Sequence, residues 1–269
     1  MIQVKNLHHT YENGREVLMG IDFEMGNEVV ALVGQNGSGK TTFAKHLNGL
    51  LKPTEGAVKV DGLDTREHSV AELSGIVGYV FQNPEHMFFE ENVFREVALG
   101  PKNLGLDEKE IEERVKWALK AVNLEGYEER TPYSLSGGEK QRLAIACILA
   151  MKPRYIILDE PTTGLDARSF ESVAEAIGRL HSDGHGILLI THDMELVLRL
   201  AERVVLLENG RKTFDGPVEE FFSFDLRSYG LDRPELLEIG RKLGTGFVRS
   251  VPELIEKLSG EGVDGAILP

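Results

Sequence analysis

The chain has little cysteine, little positive charge and no long apolar run, and each shortage excludes a class of protein. Its one cysteine, Cys147, cannot form an intrachain disulfide and lies in an apolar run, so we expect a small core side chain in a reducing compartment. The longest such run, Leu143 to Met151, falls far short of the roughly 20 residues that cross a bilayer. The first residues do not resemble a signal peptide. A net charge of −14 argues against general nucleic-acid binding.

The chain does contain a glycine-rich loop, Gly34 to Thr41, that fits the phosphate-binding pattern G-x-x-x-x-G-K-[ST]. An apolar, strand-like run precedes it and a helix-like segment follows, so free backbone N–H groups and a helix N-terminus converge on one point. Lys40 is expected to reach the phosphates and Thr41 to ligate Mg²⁺, which predicts a nucleoside triphosphate and its metal as ligands. The nucleotide-binding residues predicted here are Gly34, Gln35, Asn36, Gly37, Ser38, Gly39, Lys40, Thr41 and Thr42.

Polar side chains follow three other strand-like runs, where ligands bind in open α/β sheets. Asp159 and Glu160 end one run; Asp159 is suited to hold Mg²⁺ and Glu160 to accept a proton from attacking water. Gln82 follows a second run and leads into a proline-containing loop, which suits a ligand contact through its amide. His192 follows a third run. A lone histidine is usually structural, but its place at the same sheet edge favours a γ-phosphate sensor.

A second anion site is predicted at Ser136-Gly137-Gly138-Glu139, directly before an apolar helix. Ser136 is a good N-cap, and the two glycines expose backbone N–H groups. The alternative is a plain capped helix start. Upstream, Tyr11 lies in a turn between two strands, and two interpretations stay open for it: a half-buried turn tyrosine, or a platform on which an adenine stacks.

The order of these segments resembles the ATP-binding-cassette (ABC) ATPase family over roughly residues 1–215. The matching segments are the aromatic-loop residue Tyr11, the Walker A loop, the Q-loop Gln82, the signature Leu135 to Glu139, Walker B ending at Asp159, Glu160, the D-loop Gly164-Leu165-Asp166 and His192. The resemblance implies an α/β fold with a mixed sheet and an α-helical signature subdomain at about residues 83–150. It implies ATP and Mg²⁺ as cofactors, with Glu160, His192 and Gln82 catalytic and Thr41, Gln82 and Asp159 at the metal.

In this family two cassettes pair head to tail, so the resemblance also implies that Ser136, Gly137, Gly138 and Glu139 bind the nucleotide held by a second ATPase subunit, a copy of itself or a paralogue. Phe81 to Glu85 and the acidic tail resemble the ATPases of energy-coupling-factor importers. The implied function is to power uptake of a vitamin or transition-metal ion through a transmembrane coupling protein and a substrate-binding membrane subunit. The protein would lie at the cytoplasmic face of the membrane as a peripheral subunit.

Two rival functions stay open from the sequence: an export or lipoprotein-release ATPase, and a soluble ABC ATPase outside transport. The segment after Asp215, residues 216–269, forms a separate C-terminal extension with an apolar cluster of phenylalanines and two helix-like segments. Two short helices bury too little to be stable alone, so they pack either on their own cassette or on the tail of a second one. The second alternative makes the extension a dimerisation element.

Overall fold

A computed structural model describes residues 1–260, which form an α/β fold with two β-sheets. The strands are β1 (Ile2–Thr10), β2 (Glu16–Met25), β3 (Val29–Val33), β4 (Glu55–Val60), β5 (Leu63–Asp64), β6 (Val77–Val80), β7 (Tyr155–Asp159), β8 (Gly186–Ile190), β9 (Arg203–Glu208) and β10 (Arg211–Pro217). The α-helices are α1 (Lys40–Leu47), α2 (Val70–Ser74), α3 (Val93–Asn103), α4 (Glu108–Ala121), α5 (Gly137–Leu149), α6 (Ala167–Ser182), α7 (Met194–Leu200), α8 (Val218–Phe221), α9 (Glu235–Lys242) and α10 (Val251–Gly260).

The larger sheet has six strands in the order β10-β9-β3-β8-β7-β6. All neighbouring strands in it run parallel except β10, which pairs antiparallel with β9 at one edge. Every residue of β3, β7 and β8 is buried, as their continuous apolar runs predict for strands covered on both faces. The predicted mixed sheet is confirmed, and the carboxyl ends of β3, β7 and β8 meet at one edge.

The smaller sheet is antiparallel, with strand order β2-β1-β4-β5. Its buried face shares one core with β3, β8 and helix α1, whose Phe43 packs edge-on against Phe23 of β2 at 5.4 Å between ring centroids. Helix α1 is therefore held from both sheets. This packing places the start of α1 directly after the carboxyl end of β3, where the phosphate-binding loop lies.

Helices α3, α4 and α5 form the helical subdomain between β6 and β7, within the predicted range of residues 83–150. On α4 the apolar side chains at helical spacing form a stripe that faces the core, in which Val115 and Leu119 are fully buried. Trp117 lies off this stripe, half-buried against the same core. Cys147 also packs against this core, and burial raises the pKa of its thiol, which agrees with a small core side chain.

The C-terminal extension begins inside β10, which continues to Pro217, and includes α8, a 3₁₀ turn (Leu226–Tyr229), α9 and α10. Its two predicted helices are confirmed. Phe221, Phe222 and Leu226 are buried in one cluster with strands β3 and β9, so the first part of the extension packs on its own cassette. Further along, four apolar side chains are about half exposed: Ile239, Leu243, Val251 and Ile255. The remainder of the predicted extension, residues 261–269, lies outside the described residues.

Candidate active site

A cavity of about 360 Å³, which we call the Lys40 cavity, opens at the sheet edge where β3, β7 and β8 end. It brings together most of the residues predicted to bind nucleotide, metal or the reacting water. Its lining residues are Tyr11, Arg15, Val17, Asn36, Gly37, Gly39, Lys40, Thr41, Thr42, Gln82, Asp159, Glu160, Ile190 and His192. Gly34, Gln35 and Ser38 do not line this cavity, and Ser136 to Glu139 lie elsewhere on the chain.

The phosphate-binding loop needs a glycine at its first position. Gly34 has φ = 142°, and a Cβ there would lie 2.2 Å from the backbone oxygen of Leu207. The side chain of Lys40 folds back over the loop, and its Nζ donates to the carbonyl oxygens of Gly34 (2.7 Å) and Gln35 (3.0 Å). Burial lowers the pKa of Lys40, while the charges of Glu160 and Asp159 oppose that shift.

Helix α1 starts at the floor of this cavity without a side-chain cap. Its N-cap residue is Gly39, in the left-handed conformation, and among residues 1–260 no side chain caps the first turn. The positive end of the helix and its first N–H groups therefore face the cavity, which is the arrangement that binds phosphate.

Asp159 lies at the centre of the residues predicted to bind Mg²⁺. Its Oδ2 accepts hydrogen bonds from the hydroxyls of Thr41 (3.2 Å) and Tyr79 (2.8 Å). Burial raises the pKa of Asp159, and these two hydrogen bonds oppose the shift. A hydroxyl, a carboxylate and the Gln82 amide are hard oxygen ligands of the type that Mg²⁺ accepts together with substrate phosphates, so the residues present fit this ion.

Glu160 and His192 form a hydrogen-bonded pair beside the metal-binding residues. Glu160 has φ = 52°, the left-handed region, and its backbone N–H donates to Ile190 at 2.7 Å. One carboxylate oxygen lies 2.9 Å from His192 Nδ1, and the other accepts from the hydroxyls of Thr191 (3.3 Å) and Thr163 (3.2 Å). The Glu160 side chain is 11% exposed, whereas that of His192 is 63% exposed. The turn after β7 thus aims a fixed carboxylate into the cavity.

Tyr11 lies at the mouth of the cavity and is 39% exposed. Its hydroxyl is hydrogen-bonded to Thr42 Oγ1 at 3.0 Å, and its ring meets that of His9 edge-on at 4.7 Å. The exposed face leaves room for a planar ligand, and the side chain is tied to the phosphate-binding helix.

The signature residues start helix α5 and lie next to a different cavity, of about 530 Å³, lined by Gly137 and shared with Gln82. Ser136 and Glu139 form a capping box: Ser136 N–H donates to the Glu139 carboxylate at 2.8 Å, and Glu139 N–H donates to Ser136 Oγ at 3.4 Å. The predicted N-cap is confirmed. A Cβ on Gly138 would lie 2.5 Å from the side chain of Ser169, so close packing of α5 on α6 accounts for that glycine.

Several residues of the site have no motif that marks them in the sequence. Arg15 adds a positive charge to the mouth of the Lys40 cavity, and Val17 and Ile190 supply apolar wall. Tyr79 and Thr191 hold Asp159 and Glu160. Only Thr191 has a usable signal in the sequence, because it directly precedes His192 at the end of β8.

Comparisons with known proteins place this site in a family. The family model for the ABC transporter matches residues 18–163. A protein of Pyrococcus abyssi named as a candidate ABC transporter ATP-binding protein is 57% identical over 256 residues, which cover 95% of this chain and 98% of that protein. The energy-coupling factor transporter ATP-binding protein EcfA of Methanothermobacter thermautotrophicus is 41% identical over 263 residues, covering 96% of this chain and 85% of that one.

A solved structure agrees with these sequence matches. The CbiO1 protein of Clostridium perfringens, described as part of the ABC transporter complex CbiONQ, superimposes with a TM-score of 0.77 at 33% identity, covering 87% of this chain and 96% of that one. Among residues 1–260, no helix is long and apolar enough to span a bilayer. The chain therefore belongs to the ABC transporter family, and it is an ATP-hydrolysing subunit of that family.

Proposed function

We propose that this chain is the ATPase of an energy-coupling-factor importer, which powers uptake of a vitamin or a transition-metal ion through separate membrane subunits. The observation that carries the proposal is the extent of the EcfA match. It covers 96% of this chain and so includes most of the residues after Asp215, which lie beyond the cassette itself. The similarity to CbiO1, part of a CbiONQ complex, supports the same assignment.

The proposed chemistry follows from the contacts in the Lys40 cavity. Glu160, fixed by His192, Thr191 and Thr163, accepts a proton from the attacking water, and Lys40 leaves its loop carbonyls to contact the phosphates. His192 turns Nδ1 to Glu160, and Nε2, which makes no hydrogen bond within residues 1–260, is the atom that contacts the γ-phosphate. Mg²⁺, when bound at Thr41, Asp159 and Gln82, supplies positive charge that stabilises the charge developing on the phosphates.

The proposed working unit is a pair of cassettes. The signature residues Ser136, Gly137, Gly138 and Glu139 do not line the Lys40 cavity of their own chain. Ser136 and Gly137 are exposed and so are available to close over the nucleotide of a second ATPase subunit, whereas Gly138 is buried against α6 and Glu139 caps the helix start. That subunit is either a copy of this chain or a paralogue. The pair would bind a transmembrane coupling protein and a substrate-binding subunit at the cytoplasmic face of the membrane, as a peripheral component.

Purification of the tagged chain from native membranes, followed by mass spectrometry, tests the importer assignment. The expected co-purifying proteins are a coupling protein that spans the membrane and a small, hydrophobic binding subunit, and the reconstituted complex should import its substrate only with ATP. The same complex carrying Glu160→Gln serves as the control, because it should assemble without transporting. Recovery of an exporter, a lipoprotein-release complex or ribosomes instead would overturn the assignment.

We further propose that the C-terminal extension holds the two cassettes together between nucleotide-bound states. The support is the group of exposed apolar side chains on α9 and α10, of which Leu243 and Ile255 are 51% and 57% exposed.

Truncation after Gly216 would uncover the core around Phe221, so charged substitutions make a cleaner test of this role. The double variant Leu243→Glu/Ile255→Glu should dissociate the nucleotide-free protein in light scattering, alone or with a paralogue. The matched control is Leu104→Glu, an exposed apolar position in the helical subdomain. Unchanged association of the double variant would refute the role.

A further inference from the structure

Two histidines with no assigned role lie buried beside the nucleotide site. His9 of β1 and His46 of α1 are 6% and 0% exposed, and their rings meet edge-on with centroids 4.6 Å apart. His46 Nε2 lies 3.1 Å from His9 Nδ1. The pair therefore joins the small sheet, which carries Tyr11, to the helix that begins at the phosphate-binding loop.

The neighbours of the two rings determine their tautomers. His46 Nδ1 lies 2.7 Å from the carbonyl oxygen of Thr42, which can only accept, so Nδ1 carries the hydrogen. His46 Nε2 is then the acceptor in the neutral ring, and His9 Nδ1 donates to it. The same His9 nitrogen lies 3.3 Å from the carbonyl oxygen of Lys52. His9 Nε2 is buried and has no hydrogen-bond partner among the described residues. The His46 ring is neutral in this arrangement, and the hydrogen bonds run in one direction from His9 to His46 to Thr42.

The contacts of the histidine pair extend to the nucleotide site through Tyr11 and Thr42. The His9 ring packs edge-on against Tyr11 at 4.7 Å between centroids, and the Tyr11 hydroxyl is hydrogen-bonded to Thr42 Oγ1 at 3.0 Å. Thr42 is thus held twice, by His46 at its carbonyl and by Tyr11 at its hydroxyl. Tyr11, His9, His46 and Thr42 thus form a closed ring of contacts. Because Thr42 follows Thr41 in the first turn of α1, this ring connects the base end of the cavity to its phosphate end.

We propose that His9 and His46 are positioning residues that fix the Tyr11 ring relative to the phosphate-binding loop and so set the affinity for the nucleoside half of the nucleotide. This inference rests on the proposed role of Tyr11 as the platform for the adenine. It separates two contributions to binding: the phosphates are held by the loop itself, and the base is held only when the histidine pair keeps Tyr11 in place. A purely structural pair would instead support both halves equally.

The test compares binding of ADP with binding of inorganic pyrophosphate, both with Mg²⁺, by calorimetry on the full-length chain. Neither ligand requires hydrolysis or a membrane partner, so the result is independent of the importer assignment. The variants are Tyr11→Ala, His9→Leu and His9→Asn, whose amide nitrogen can replace Nδ1 as the donor to His46. The matched control is His8→Leu, on the same strand, where the half-exposed ring contacts Glu16 instead.

Tyr11→Ala should weaken ADP binding about tenfold through lost stacking, and His9→Leu about fivefold, with pyrophosphate affinity within about twofold of wild type. His9→Asn keeps the donor to His46 but loses the ring that packs on Tyr11, so its ADP affinity should lie between those of His9→Leu and wild type. His8→Leu should change the affinity for neither ligand. In steady state, His9→Leu should raise KM for ATP and leave kcat nearly unchanged.

Three results would overturn the inference. An equal loss of ADP and pyrophosphate affinity in His9→Leu, not corrected by His9→Asn, would make the pair a structural support only. Wild-type ADP affinity in His9→Leu would remove the histidines from positioning. Wild-type ADP affinity in Tyr11→Ala would remove the platform, and with it the purpose of the pair, while leaving the assignment of Glu160 untouched.

Discussion

Helices α1 and α5 both start next to a cavity, but their first turns differ. The N-terminus of α1 follows Gly39 and has no side-chain cap, so its N–H groups are open to a phosphate. The N-terminus of α5 is closed by the Ser136–Glu139 capping box, and Tyr127 donates a further hydrogen bond to Glu139 at 2.8 Å. An open helix start is stabilised by its ligand, whereas a capped one is stable without any.

This difference explains how one chain can carry two nucleotide-facing surfaces. In the proposed mechanism the Lys40 cavity holds the phosphates, the metal and the attacking water, and the open start of α1 is satisfied only when nucleotide is bound. The signature surface, Ser136 to Glu139, keeps its shape without a ligand, and in the proposed pair it presents the exposed Ser136 and Gly137 to a nucleotide held by the other chain. We therefore expect loss of the general base Glu160 to stop chemistry but not association, and a change in the signature surface to stop association.

The largest expected effect is on chemistry in the Lys40 cavity. Glu160→Gln should leave ATP affinity near that of wild type and slow steady-state hydrolysis by about 10²- to 10⁴-fold, because the general base is lost while its hydrogen-bonding shape is kept. The closed pair of cassettes should accumulate. Glu195→Gln on α7 is the matched control, since that carboxylate lies outside the Lys40 cavity. Turnover of Glu160→Gln within twofold of wild type would remove Glu160 from this role.

Acid should destabilise the His46 contacts of α1 before the capping box of α5. Burial lowers the pKa of His46 from 6.5 to about 4, so the neutral ring contributes stability that is complete above pH 6.5 and is lost as the pH falls towards 4. The full loss is about 3 kcal/mol in the free energy of unfolding. The hydrogen bond from the Ser136 backbone lowers the pKa of Glu139, so the capping box contributes stability above the ordinary carboxyl pKa and loses it only at lower pH.

Urea unfolding at about pH 7 and about pH 5 separates these contributions, because only the histidine term changes strongly in that interval. His46→Asn should flatten the decline in stability between the two values, whatever its stability at neutral pH. Glu139→Gln, the control on the signature side, should leave the decline unchanged. An equal decline in His46→Asn and wild type would show that this ring does not link pH to folding.

A smaller effect is expected at the support of the metal-binding carboxylate. Tyr79→Phe removes the hydroxyl that donates to Asp159, which should raise the pKa of that carboxyl further and weaken Mg²⁺ binding about tenfold. The Mg²⁺ dependence of ATP hydrolysis measures this. Tyr155→Phe is the control, because its hydroxyl contacts Asp61 away from the cavity. An unchanged Mg²⁺ requirement in Tyr79→Phe would show that Thr41 alone suffices to orient Asp159.

The sequence predicts the parts of the site that depend on local chemistry. The glycine-rich loop after an apolar strand, the acids ending β7 and the serine before α5 each carry their own pattern, and the structure brings Lys40, Asp159, Glu160 and His192 to one edge as expected. These side chains lie together because the carboxyl ends of parallel strands meet at one edge of the sheet, whatever the exact register of the strands.

The parts that depend on tertiary pairing have no such pattern. Tyr79 reaches Asp159 because β6 pairs with β7 in the register Tyr79–Ile157, which no local spacing specifies. His9 meets His46 only because the small sheet packs on α1. The division of the C-terminal extension between buried residues such as Phe222 and exposed ones such as Leu243 likewise follows from packing rather than from composition.

The central claim is that the signature of one chain completes the Lys40 cavity of another, and a mixing experiment tests it most directly. Ser136→Arg and Lys40→Ala chains should each fail to associate with ATP alone, while their mixture should recover ATP-dependent association in light scattering, since one composite site stays intact. Ser134→Arg, an exposed neighbour, should associate like wild type. If both variants are folded and no mixture associates, with each other or with a paralogue, the signature does not act on a second chain.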